Sequence, residues 1–333
     1  MGFTDSADGQ SVADATEGAV LARIVPRLPA AEAAIVGPGD DCAVMSAPDS
    51  RFVVTTDMMV HGPDFRQAWS TPWQLGWKAA ATNLSDVAAM GARPTGLVVA
   101  LAVPESTPVR VLEEFSDGLR SACESLAPGC GVVGGDLSVS ATFTIAVTAF
   151  GDLEGRRPVM RSGARPGDVV AVSGRLGAAS RGLDLLFSHG VDATGAPDAS
   201  RAQSVAEQHP HLVGAQLTPQ PPIGDGPLAA DAGATAMMDI SDGLALDASR
   251  LARASQVTLA FESLLLGDDV DAALHGGEDH GLLACFSPGT QMPGGFERIG
   301  MVGERGADDV TCDGDVVAAT GWDPYTAWDG AVG

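Results

Sequence analysis

The chain has 333 residues, 45% of them hydrophobic, enough for a large core and too many for one small domain. Its 19 lysines and arginines against 43 aspartates and glutamates leave a formal charge of −24. Nucleic acids and anionic membranes both call for a basic surface, so neither is expected as a partner. An anionic substrate can approach such a chain only with metal ions or beside a local arginine cluster.

Five cysteines (Cys42, Cys123, Cys130, Cys285, Cys312) make an odd set without a C-x-x-C pair. That spacing argues against a disulfide framework or a zinc site and fits a reducing cytoplasm. Residues 1–18 read as a flexible acidic tail, without the basic and apolar regions of a signal peptide. No apolar run reaches the length of a membrane span.

In chain order, a helical pattern over 19–28 closes at Pro29, and residues 51–56 read as a strand ending at Asp57. Thr71-Pro72-Trp73-Gln74 is a capping box with proline at the first helical position, and Gly91 stands where the C-terminal cap belongs. Inside that helix Lys78, the only lysine of the chain, shares one stripe with Thr82 and Asp86 at i, i+4, i+8. Polar groups on so apolar a helix should face a site or a partner, because burying them unpaired is costly.

A strand over 95–103, an amphipathic helix over 109–126, a short strand over 131–135 and another over 142–150 follow. Residues 151–167 read as a connector. The second half opens with a strand at 169–173, a glycine turn at 174–177 and a helix at 178–187. Residues 188–227, rich in Pro, Ala, Gln and His, read mostly as loop. A strand at 235–238 runs into Asp239, a helix covers 244–254, and segments at 257–261, 281–286 and beyond complete a mixed sheet. The sum is an α/β chain with mixed sheets flanked by helices. It divides into a tail at 1–18, an N-terminal domain at 19–152 and a C-terminal domain at 153–333.

Aspartates recur where apolar runs end or glycine begins: Gly39-Asp40-Asp41, Thr55-Thr56-Asp57, Asn83-Leu84-Ser85-Asp86, Gly134-Gly135-Asp136 and Asp239-Ile240-Ser241-Asp242-Gly243. Folding would gather these charges in a partly dry cleft, where like charges repel unless a cation lies between them. Hard divalent cations with oxygen ligands answer that need, and Mg²⁺ commonly brings a phosphorylated substrate.

Each block also has a plain reading. Thr55-Thr56-Asp57 suits a cap or Asx turn, and Ser241 or Asp242 suits the cap of the next helix. Gly276-Gly277-Glu278-Asp279 suits an ordinary loop. Gly174-Arg175-Leu176-Gly177 could offer N–H groups to a phosphate, with a simple turn the better reading. A Walker A loop is excluded, since the one lysine sits elsewhere. All six histidines read as surface or loop residues.

Together the ordered blocks resemble the thiamine-monophosphate kinase family of the aminoimidazole-ribonucleotide-synthetase-like ATP-binding superfamily. The resemblance runs from about residue 35 to 325. It takes in Gly37-Pro38-Gly39-Asp40-Asp41-Cys42, Thr55-Thr56-Asp57-Met58-Met59-Val60, the run from Trp77-Lys78 to Gly91-Ala92, and Gly134-Gly135-Asp136. It continues through Arg161-Ser162-Gly163-Ala164-Arg165-Pro166-Gly167-Asp168, Met238-Asp239-Ile240-Ser241-Asp242-Gly243, Gly276-Gly277-Glu278-Asp279 and Gly321-Trp322-Asp323-Pro324-Tyr325.

The resemblance implies a two-domain aminoimidazole-ribonucleotide-synthetase-like fold, a cytoplasmic homodimer, and transfer of the γ-phosphoryl group of ATP to thiamine monophosphate. It implies several Mg²⁺ ions on Asp40, Thr55, Thr56, Asp57, Asp86, Asp136, Asp239 and Asp242. It places Gly135, Asp136, Arg161 and Ser241 on the nucleotide, and Glu278 and Trp322 on thiamine. The acceptor phosphate is already ionised, so no general base is expected.

Two blocks depart from the family pattern. Asp64 stands before Phe65 where histidine is common, leaving Asp64 or His61 for the substrate phosphate. His280-Gly281 replaces the more usual tyrosine and glutamate after the Gly-Glu-Asp block. Rival readings are a superfamily enzyme with another acceptor and a non-catalytic metal- or nucleotide-binding module.

Overall fold

The computed structural model describes residues 10–15, 17–38 and 42–322. Asp40, Asp41 and residues 323–325 of the sequence motifs lie outside them.

The first half is built on a four-stranded sheet of β3 (Val53–Val60), β4 (Arg93–Val103), β5 (Gly131–Val139) and β6 (Thr144–Asp152), ordered β3-β6-β4-β5. Helix α1 (Glu17–Ile24) and a small antiparallel pair, β1 (Ala34–Val36) and β2 (Val44–Met45), precede it. Helices α2 (Pro72–Ala89) and α3 (Val109–Leu126) cover one face. Thr71 Oγ1 accepts a hydrogen bond from Gln74 N and Gln74 Oε1 accepts one from Thr71 N, completing the expected capping box. Gly91, at φ 74, follows the helix in a left-handed turn that most side chains resist.

The two helices meet almost backbone to backbone. A Cβ on Gly76 would lie 2.0 Å from the carbonyl oxygen of Phe115, and one on Gly118 would lie 2.0 Å from that of Trp73. Leu75, Leu84 and Val87 of α2 join Phe115 and Leu119 of α3 and Leu97, Ile145 and Val147 of the sheet in one core.

The second half is a seven-stranded sheet of β7 (Val169–Ser173), β8 (Ala236–Ile240), β9 (Thr258–Phe261), β10 (Gly281–Phe286), β11 (Phe296–Gly303), β12 (Val310–Cys312) and β13 (Asp315–Val316). Its order is β13-β12-β9-β11-β7-β10-β8, antiparallel except for β9 beside β12. Alternate residues serve opposite faces. Met238 and Leu283 pack under α8 (Leu244–Ser255) and α9 (Val270–His275). Met237, Leu282 and Ala284 share the other face with Ala89, at the end of α2. Helix α2 thus touches both sheets, and its polar stripe faces the seam between them.

The loop expected over 188–227 is instead largely helical. After α4 (Ala178–His189) come α5 (Ala199–Gln208), α6 (Pro210–Leu217) and α7 (Asp225–Asp231). Asp198 caps α5 by accepting from Arg201 N, and Pro210 sits at the start of α6, where its missing N–H costs nothing. Leu186, Ala202, Val205, Val213 and Leu217 close around Trp69, whose Nε1 donates to the Gly190 carbonyl at 2.8 Å. Long-range burial, rather than any local periodicity, orders this segment. Strand β3 also runs past its expected end, so Asp57 lies within the strand, as Asp136 lies within β5 and Asp239 within β8.

Candidate metal and substrate site

Asp57, Asp86, Asp239 and Asp242 come from β3, α2, β8 and the turn after β8; the charges of Asp239 and Asp242 act on Asp57, and those of Asp239 and Asp57 act on Asp86. Thr55 and Asp57 share a face of β3, two residues apart, and Thr55 Oγ1 donates to Asp86 Oδ2 at 2.8 Å. Burial, then repulsion from Asp239 and Asp57, pushes the Asp86 carboxyl up to about 7. Asp57 is raised by burial and by Asp239 and Asp242, with His280 partly offsetting them. Three of the five aspartate blocks thus form the like-charge arrangement the sequence pointed to; Asp136 is not among them, and Asp40 and Asp41 lie outside the described residues.

Thr56 points the other way along the pleat: its Oγ1 donates to the Val147 carbonyl and accepts from Thr148 Oγ1. Among the described residues no three His, Cys, Asp or Glu side chains converge tightly enough to enclose an ion by themselves. The oxygen donors fit Mg²⁺, which is commonly held by one or two carboxylates together with substrate phosphate oxygens and water.

The turn at 241–243 is fixed by a residue the sequence reading passed over. Asp247, fully buried, accepts from Ser241 N and Asp242 N, both at 3.0 Å. Its second oxygen and Asp242 Oδ2 each accept from Arg250 Nη1 at 2.6 Å. The expected cap by Ser241 or Asp242 is therefore not formed. The position before α8 is Gly243, at φ 122, with the His275 carbonyl too close for a side chain. A signal was available: Asp247 and Arg250 fall at i, i+3 on an otherwise alanine- and leucine-rich helix.

That turn also joins the acidic cleft to a pocket. Glu278 N donates to the Ser241 carbonyl at 2.8 Å and Trp322 N to the Asp242 carbonyl at 3.0 Å. Glu278 and Trp322 line a cavity of about 400 Å³ with Asp64, Phe65, Arg66, Lys78, Leu183, Phe187 and Gln216. Glu278 Oε2 accepts from the buried Lys78 ammonium and from Gln216 Nε2. Burial opposes its charge, but Lys78, His280 and these hydrogen bonds hold its carboxyl below the usual range. Asp64 shifts upward, mainly through burial, while accepting from Val60 N at 2.7 Å. His61 packs its ring against Phe65, 5.6 Å between centroids.

Other expected site residues stand apart. Asp136 lies on the edge opposite β3, in one cross-sheet line with Ala100, Ala146 and Met58. Three strand spacings make that about 14 Å. With Gly135 it borders a second cavity, of about 360 Å³, against α1 and α3. Arg161 is exposed beside Ser255, next to the start of β8, whereas Asp239 and Ser241 mark its other end.

The turn at 174–177 is a plain turn: Asp279 Oδ1 accepts from Ala179 N at 2.9 Å, and the carboxylate also serves the N–H groups of Gly177 and Ala178. One histidine contradicts its expected surface place. His280 is only 5% exposed and lies beside Asp239, because the strand β10 that follows it pairs with β8.

Comparison with known proteins fits this arrangement. The family model for AIR synthase related protein, N-terminal domain, matches residues 39–153. Thiamine-monophosphate kinase of Mycobacterium tuberculosis is 39% identical over 327 residues, covering 94% of this chain and 90% of that protein. The Corynebacterium glutamicum enzyme of the same name is 37% identical, covering 97% of each. The solved thiamine monophosphate kinase from Aquifex aeolicus is 34% identical, with a TM-score of 0.70 over 82% of this chain and 90% of that one. A structure described as AaThiL complexed with AMPPCP and TMP is 33% identical, with a TM-score of 0.71 over 85% and 90%. With such identity spread along nearly its whole length, the chain belongs to the thiamine-monophosphate kinase family and has its mixed α/β fold.

Proposed function

We propose that the protein phosphorylates thiamine monophosphate to thiamine diphosphate with ATP, by direct in-line transfer. The observation that carries this reading is the joining of two sites by one turn. Ser241 and Asp242 bind Glu278 and Trp322 through their carbonyls, while the Asp242 side chain belongs to the acidic cleft.

An oxygen of the acceptor phosphate attacks the γ-phosphorus of ATP; the bond from that phosphorus to the β-bridging oxygen breaks, and ADP leaves. The acceptor oxygen is already ionised, so the residues need only bind, orient and neutralise. Mg²⁺, when bound, offsets the repulsion between the two sets of phosphate oxygens and stabilises charge on the transferring group. Asp57, Asp86, Asp239 and Asp242, with the Thr55 hydroxyl, would hold it; of the other residues the resemblance implied, Thr56 turns its hydroxyl to Val147, Asp136 stands about 14 Å from β3, and Asp40 lies outside the described residues.

Gly135, Asp136, Arg161 and Ser241 are the nucleotide contacts of this reading, and Asp64, Glu278 and Trp322 the acceptor contacts. Glu278, kept ionised by Lys78, suits the cationic side of thiamine, and the Trp322 indole offers a flat face to a cationic ring. Asp64 accepts rather than donates toward Val60, so contact with a phosphate would need Lys78 or Arg66, which line the same cavity.

A homodimer belongs to the same reading. Val54 and Met58, 54% and 62% exposed, lie on the sheet face turned away from α2, a surface a second copy would cover. A division into domains near residue 152 and a cytoplasmic setting, supported by five free thiols, complete it.

The acceptor is tested by offering purified protein ATP and Mg²⁺ with thiamine monophosphate, thiamine or an aminoimidazole ribonucleotide. Turnover confined to thiamine monophosphate is expected; turnover of another acceptor alone would overturn the assignment.

A further inference from the structure

His280 is buried among acids without a hydrogen-bond partner for either ring nitrogen. Two unsatisfied nitrogens in a dry site are costly, and a buried polar group without a partner asks for a ligand. The backbone that carries the ring is fixed: His280 N donates to the Ile240 carbonyl at 3.0 Å, and Ser85 Oγ donates to the His280 carbonyl at 3.4 Å. Its Nδ1 stands 3.7 Å from Asp239 Oδ2, beyond a hydrogen bond. Two donors each about 2.1 Å from one ion stand about 3 to 4 Å apart, so this separation suits a shared cation.

We infer that His280 supplies a nitrogen ligand to a divalent cation held at Asp239, giving the acidic cleft a mixed nitrogen and oxygen donor set. The inference rests on the metal-binding reading of that cleft and goes beyond it. Lys78 and Glu278 lie nearby and act on the ring only through their charge. A tyrosine at this position, the usual family residue, would supply no imidazole. Imidazole favours first-row transition ions over Mg²⁺, so the centre of this chain should take Mn²⁺ more tightly than an all-oxygen site would.

The test is pulsed electron paramagnetic resonance on the full chain loaded with Mn²⁺ alone, without nucleotide, so that no adenine nitrogen competes. A ¹⁴N coupling is expected that changes to a ¹⁵N pattern when the histidines are ¹⁵N-labelled. His280→Gln should lose the coupling and weaken Mn²⁺ about tenfold or more, with Mg²⁺ affected less. If that variant does not fold, the labelled wild-type spectrum decides alone. Bound Mn²⁺ without histidine coupling, or coupling that survives in His280→Gln, would overturn the inference. If Mg²⁺-dependent phosphoryl transfer is intact in that case, the proposed function stands. Failure of Mn²⁺ and Mg²⁺ alike to bind would remove both.

Discussion

Thr55 donates its hydroxyl hydrogen to Asp86, tying the edge strand of the first sheet to the helix that touches both sheets. The bond ties Asp86 to the strand that carries Asp57, a carboxylate whose charge repels it and which His280 only partly offsets. Replacing Asp57 or Asp242 by Asn keeps the shape and removes the charge. Each variant should lose about 10²- to 10³-fold in kcat while its thermal melt stays close to wild type. Steady-state kinetics beside calorimetry checks this, and unchanged kcat in both variants would remove these residues from the metal site.

The pairing of Lys78 with Glu278 gives a second expectation. The lysine side chain is only 6% exposed, so Lys78→Met leaves the Glu278 carboxylate with the Gln216 hydrogen bond and the more distant charge of His280. A loss of about 2–4 kcal/mol is expected, with a raised KM for thiamine monophosphate. The double variant with Glu278→Gln should recover much of the stability and none of the affinity. A double-mutant cycle by chemical denaturation measures the coupling.

Trp322 is held by its own backbone against Asp242, and its indole lines the pocket. Trp322→Ala should raise KM for thiamine monophosphate about tenfold and leave KM for ATP unchanged. An equal rise in both would place the indole elsewhere.

Stability of the metal-free protein should fall as pH rises. Burial, the largest cause in each case, raises the carboxyls of Asp57, Asp64, Asp86, Asp247 and Asp279; Asp86 reaches about 7, and Asp247 and Asp279 about 6. The folded state therefore binds more protons than the unfolded one between the ordinary carboxyl range and those values, and stability is lost across that interval. Exposed carboxyls held low by arginines, such as Asp49 and Asp231, act in the opposite sense below it. Melting temperatures in a chelating buffer should decline from about pH 4.5 to about pH 7.5, and Mg²⁺ should flatten the slope.

Much of the fold was legible where local signals and burial agree. The helix at 109–126 and the strands at 169–173 and 281–286 fall where periodicity put them. The segment 188–227 was not legible, because its helices are short and ordered by packing around Trp69. Within the site, the aspartates could be named from their glycine and apolar neighbours, yet their positions inside strands could not. Asp247 went unremarked and His280 was placed at the surface for a common reason. Each gains its meaning from a pairing across the fold: one with the turn ahead of its helix, the other with Asp239 on the neighbouring strand.

The most direct measurement is a ³¹P spectrum of the purified protein with ATP, Mg²⁺ and thiamine monophosphate. The γ-phosphate signal should diminish as paired diphosphate resonances of thiamine diphosphate and ADP grow, without orthophosphate. Release of orthophosphate with the thiamine monophosphate signal unchanged would contradict the proposed transfer.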